Sequence, residues 1–149
     1  MAIRRAKHSD IADIYRCLSQ MVTYVPSHES RDEIAADYFK QDWVYAVVSE
    51  VSEYPSQKVT VGFASISFKM KIRGGVIGHI EDVVVDATHR GRGEGRMLVE
   101  ALLEESRRRN AYRVYLESSE SNVSFYKSCG LERSGVGAHG DLLHGDRPA

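Results

Sequence analysis

Cysteine is scarce in this chain: Cys17 and Cys129 are the only two among 149 residues. They form no Cys-x-x-Cys pair, and with the six histidines they make no metal-ligand spacing, so neither a redox motif nor a metal site is expected. One disulfide would use both, but two free thiols in a reducing compartment is the expectation. Long apolar runs are missing as well. None approaches the ~20 residues of a membrane-spanning helix, the opening Met1-Ala-Ile-Arg-Arg lacks the apolar stretch of a signal peptide, and the last residues are not a peroxisomal signal. A cytoplasmic location without a membrane partner is expected. Nor is there an excess of one charge. Twenty Lys and Arg against 21 Asp and Glu leave a net charge of -1, which argues against a nucleic-acid partner.

What remains is ordinary globular composition, with 42% hydrophobic and 28% charged residues. A chain of this length buries about 70% of the surface its unfolded form exposes, so one domain with a packed core is expected over residues 1–149. Residues 138–149 are poor in large apolar groups and read as a loose tail. A short first strand fits residues 3–6. Ser9 or Asp10 can cap a helix to about residue 24, with Ile11, Ile14, Leu18, Met21 and Val22 at helical spacing. A second helix fits 31–41, with Ile34, Ala35 and Phe39 inward. Strands are expected at 43–51, 59–70, 76–85, 113–117 and 131–136. The strongest helix fits 93–110: Leu98, Val99, Leu102 and Leu103 share a stripe, and Glu104/Arg108 and Glu105/Arg109 are favourable i,i+4 pairs. A short helix fits 122–129. The order implies an α/β fold: a mixed central sheet covered by helices on both faces.

The sharpest local feature is Arg90-Gly-Arg-Gly-Glu-Gly-Arg96, placed between a strand and the strongest helix. Gly91, Gly93 and Gly95 allow the backbone to approach a ligand closely. The free N–H groups of the helix start and its partial positive charge suit an anion, most naturally a pyrophosphate. Arg90, Arg92 and Arg96 add charge and paired donors. No Lys-Ser/Thr follows, which excludes a Walker loop. Four expected strands precede the loop, which excludes the first turn of a dinucleotide-binding unit.

Arg90-x-x-Gly93-x-Gly95 matches the acetyl-CoA signature of the GNAT superfamily. Gly78-His-Ile-Glu-Asp-Val-Val-Val-Asp86 and Asn122-Val-Ser-Phe-Tyr-Lys-Ser-Cys-Gly-Leu131, in that order and spacing, resemble the eukaryotic glucosamine-6-phosphate N-acetyltransferases. The resemblance is strong over residues 76–136 and weaker, though compatible, over 3–69. It implies acetyl-CoA as donor, the 2-amino group of glucosamine 6-phosphate as acceptor, a product destined for UDP-N-acetylglucosamine, and a homodimer.

The resemblance also implies roles for residues. Val83, Val84 and Val85 would offer backbone groups to the cofactor, one N–H polarising the thioester carbonyl. The loop from Arg90 through Gly91, Arg92, Gly93, Glu94 and Gly95 to Arg96 would hold its phosphates. Tyr126 would protonate the departing sulfur, because a phenol and a thiol hold protons with comparable strength. Asn122 would contact the cofactor, and it is equally suited to cap the following helix. Glu81 and Asp82 would meet the sugar; as strand neighbours they are expected on opposite faces, not as one dyad. Glu117 stands where the family has an aspartate near the acceptor amine, one methylene longer. Lys69, Lys71 and Thr23 fall in segments that approach the substrate. His79 reads as a structural strand histidine. One departure is at the C-terminus, where ungapped counting puts Asp141 in place of a phosphate-binding arginine; Arg147, Lys71 or Arg73 are the substitutes at hand. Two other readings use the same cofactor site: a GNAT enzyme for another small amine or a protein N-terminus, and a non-catalytic CoA-binding module.

Overall fold

The structure is a computed structural model and describes residues 1–22, 25–135 and 137–142. Five strands form one sheet in the order β1 (Ala2–Arg5), β2 (Val44–Glu53), β3 (Gln57–Met70), β4 (Val76–Val85), β5 (Ala111–Leu116). The first four run antiparallel to their neighbours, and β5 runs parallel to β4. That one parallel pair needs a crossover, and α3 (Glu94–Arg108) supplies it. The other helices are α1 (Ile11–Leu18), α2 (His28–Phe39) and α4 (Val123–Ser128).

Alternation along β3 builds a core on each face. Ala64, Ile66 and Phe68 pack under Leu98, Val99 and Leu102 of α3, which are fully buried. Burying each leucine contributes about 1.5–3 kcal/mol. Phe63 points the other way and joins Val48 and Val84 under Ile14 and Cys17 of α1. Gly62 lies under α3 because a Cβ there would come within 3.0 Å of Leu98.

Several expectations shift. The first helix ends at Leu18, not near residue 24, and residues 23 and 24 lie outside the described chain. Asp10 does not cap α1 through its side chain; its carboxylate takes two bonds of 2.8 Å from Arg4, a stronger charged partner. The second helix starts three residues early, at His28. Its inner face is Ala35 with Tyr38 and Phe39, whereas Ile34 is exposed. On α3, Glu105 pairs with Arg109 as expected, but Arg108 also turns to Glu105 and Glu104 pairs with Arg107. No strand forms over 131–135; residue 136 lies outside the described chain. Both cysteines are free thiols. Cys17 is fully buried, and burial pushes its pKa up to about 11.

Candidate active site

The parallel pairing of β4 and β5 stops at Ile80 and Leu116. Beyond it, Glu81 to Val85 have no strand on the β5 side among the described residues, so this length of β4 offers backbone groups that none of them pairs. Its other edge is irregular too. Register with β3 jumps between Phe63/Val84 and Ser65/Glu81, and Asp82 takes a left-handed φ of 55°. Such a conformation is strained for a non-glycine residue. It also breaks the alternation that would send Glu81 and Asp82 to opposite faces. Glu81 stays level with Ser65, while Asp82 lines the cavity with Phe63 and Tyr38, so both carboxylates lie on the α1/α2 side. Both act electrostatically on the Tyr38 phenol, whose pKa burial pushes up to about 12. The Tyr38 hydroxyl is buried with no partner in hydrogen-bond geometry among the described residues; Ser65 lies beside it outside that geometry. Partial desolvation against the helices raises the Asp82 pKa.

The free length of β4 forms one wall of a cleft of about 640 Å³. Val83, Val84 and Val85 line it from the sheet; Arg90, Gly91, Gly93, Glu94, Gly95 and Arg96 line it from the loop and first turn of α3. Gly91 and Gly93 have φ of 78° and 91°, and a Cβ at either would meet nothing within 4 Å, so the space before them is open. The N–H groups of the first turn of α3 face no intrahelical acceptor, and helix polarity adds positive potential. These residues fit a pyrophosphate-bearing cofactor. Gly95 serves packing instead: a Cβ there would stand 3.2 Å from Phe125 of α4. The Arg90 guanidinium donates to the Val85 carbonyl at 3.0 Å, tying the loop to the open strand. Arg96 pairs with Glu100 at 2.9 Å. Arg92 is exposed and does not line the cleft. Glu94 is buried, with one carboxylate oxygen unpartnered among the described residues.

Tyr126 stands between two spaces. It closes the cofactor cleft beside Asn122, and it also lines a neighbouring cavity of about 280 Å³ with Glu117. Burial raises the phenol pKa, so the group stays a proton donor through neutral pH. Asn122 sits at the N-cap position of α4 but makes no side-chain capping bond, which leaves its amide for a ligand. Glu117 also reaches a third cavity of about 590 Å³, shared with Lys69 and His79. Lys71 lies in the β3–β4 turn, outside these cavities. Thr23 and Arg147 lie outside the described residues.

Sequence reasoning missed the brace behind the loop. Asp86, just after β4, accepts from the Thr88 hydroxyl and N–H, from Gln20 and from Arg16. Gln20 accepts from the Ala87 N–H, and Arg16 donates to the Thr60 carbonyl. The Thr88 bonds above all hold the Asp86 pKa far below the usual carboxylate range. Asp-x-Thr after a strand is a turn-capping pattern, but its partners Arg16 on α1 and Gln20 just beyond it are 70 and 66 residues away.

Residues 11–131 match the model of the acetyltransferase (GNAT) family. The chain belongs to that family. It is 40% identical over 78 residues to the glucosamine 6-phosphate N-acetyltransferase of Schizosaccharomyces pombe, covering 51% of this chain and 70% of that one. It is 49% identical over 73 residues to the enzyme of the same name from Trypanosoma brucei brucei, of whose length it spans only half, with 48% of this chain aligned. The crystal structure of glucosamine-6-phosphate N-acetyltransferase from Arabidopsis thaliana superposes with a TM-score of 0.82 at 28% identity, covering 95% of this chain and 98% of that one. No helix among the described residues is long and apolar enough to cross a membrane.

Proposed function

We propose that this protein transfers the acetyl group of acetyl-CoA to the 2-amino group of D-glucosamine 6-phosphate, releasing CoA and N-acetylglucosamine 6-phosphate for UDP-N-acetylglucosamine synthesis. The observation that carries the reading is the junction at Ile80/Leu116. There a strand with free backbone groups, a glycine-rich helix start and a half-buried tyrosine converge on a carboxylate-lined cavity. The similarity to enzymes named for this reaction supports the substrate.

Bound acetyl-CoA supplies an activated thioester. The loop from Arg90 to Arg96 and the Asn122 amide hold the donor. An N–H of Val83–Val85 donates to the carbonyl oxygen as negative charge grows on it. Glu81 and Asp82 accept from the sugar. Glu117 attracts the acceptor amine and takes the proton it loses as the new C–N bond forms. The Tyr126 phenol returns a proton to sulfur as the C–S bond breaks. Lys69 and Lys71 serve the phosphate. The working unit is a cytoplasmic homodimer.

A second reading, a GNAT enzyme for another small amine, is favoured by Asp141 at the position where the resembling family has an arginine. Release of CoA thiol with glucosamine 6-phosphate, glucosamine and a panel of amines decides between them. The proposal expects clear preference for the phosphorylated sugar; turnover of another amine alone would select the second reading.

A further inference from the structure

The sheet face covered by α1 and α2 around Phe63 is open farther along among the described residues. Ser67, His79 and Tyr115 stand side by side there on β3, β4 and β5, and Lys69, Ile77 and Arg113 form the next row. Paired residues share a face, and the α3 face is occupied by Ile66, Phe68, Ile80, Val114 and Leu116. Every residue of the two rows except Arg113 lines the 590 Å³ cavity, as does Glu117; Arg113 adjoins it through the Tyr115 hydroxyl.

Charge is sorted along this floor. Glu81 and Glu117 lie at the end where β4 and β5 part. Lys69 and Arg113 lie at the other end, with Lys71 and Arg73 in the adjoining turn. None of these four cations makes an ion pair among the described residues. The Arg113 guanidinium donates to the Tyr115 hydroxyl at 3.4 Å, and Arg113, then Arg73 and Lys71, lower the Tyr115 pKa. Between the poles lies His79, two residues from Glu81, or about 7 Å along a strand. An unpaired cationic pole facing a carboxylate pole matches a small acceptor with an amine at one end and a dianion at the other.

Resting on the proposed function, we infer that Lys69, His79, Tyr115 and Arg113 form the subsite for the phosphate of the acceptor, all supplied by this chain's own sheet. The subsite takes over from the arginine that the resembling family carries where ungapped counting puts Asp141 here, and it makes His79 and Arg113 specificity residues. It takes a phosphomonoester on the acceptor; the amine is held at Glu117 in either case.

The test compares kcat/KM for glucosamine 6-phosphate with kcat/KM for glucosamine. It uses the wild-type protein, Lys69→Ala, His79→Ala, Arg113→Gln and, as control, Lys40→Ala on the outer end of α2. Acetyl-CoA affinity reports that each variant is folded. The preference for the phosphorylated sugar should fall by about tenfold or more in each of the three subsite variants and stay unchanged in the control. Inorganic phosphate should compete with the sugar phosphate in wild type and less well in Arg113→Gln, an exposed change that does not challenge folding. Wild-type preference retained in full by the three variants would overturn the subsite while leaving the proposed function standing. A wild-type protein that does not prefer the phosphorylated sugar would overturn the substrate reading and the subsite together.

Discussion

The Tyr126 side chain lines both the 640 Å³ cleft and the Glu117 cavity, and in the proposed reaction its hydroxyl serves the sulfur from between the two. Tyr126→Phe should lower kcat by about 100-fold or more, the usual scale for a lost general acid, with much less change in KM. Steady-state kinetics checks this, and an unchanged kcat with chemistry rate-limiting would remove the role. At this scale the motifs tied proposed roles to Arg90, Asn122 and Tyr126, and the fold brings all three to one cleft. The sequence misled at Asp82, because strand alternation does not anticipate a left-handed residue and a register jump. Tyr38 was unreadable. Its hydroxyl meets the carboxylates only after α2 folds over β4, and nothing local marks it.

Among the elements, the loop between β4 and α3 depends on Asp86, which joins it to α1. Asp86→Asn should cost about 1.5–3 kcal/mol, the scale of hydrogen bonds to a charged group. The folded protein holds this carboxyl below its ordinary pKa of about 3.9, so its contribution is present above that value and is lost as pH falls through the folded pKa. Denaturant melts of both proteins should differ at pH 7, and the gap should narrow as the medium is acidified below pH about 4. A gap independent of pH would contradict the charged brace. Gly93→Ala places a Cβ on a residue with φ of 91°. It should destabilise the fold by about 1–2 kcal/mol and weaken acetyl-CoA binding, measurable by calorimetry. Element types were largely legible because β3 alternates and α3 carries a clean apolar stripe. The early end of α1 was not, since Met21 and Val22 keep the helical spacing although Met21 is exposed at the cofactor cleft.

At the scale of the molecule, β5 has one paired edge, and no further strand covers the other among the described residues. Tyr112, Tyr115 and Trp43 are exposed near it. Sedimentation should give twice the 16.7 kDa chain mass if the homodimer forms; a single-chain mass at working concentration would exclude it. The overall α/β order was legible from the sequence, but the final strand expected at 131–136 was not formed over 131–135. Leu131 packs against the α3 core instead of extending a ladder. Acetyl transfer at the opening of β4 and β5 is read out by release of CoA thiol. With acetyl-CoA present, glucosamine 6-phosphate should give rapid release and glucosamine much less. Acetyl-CoA binding without thiol release on any amine would contradict acetyl transfer at this site.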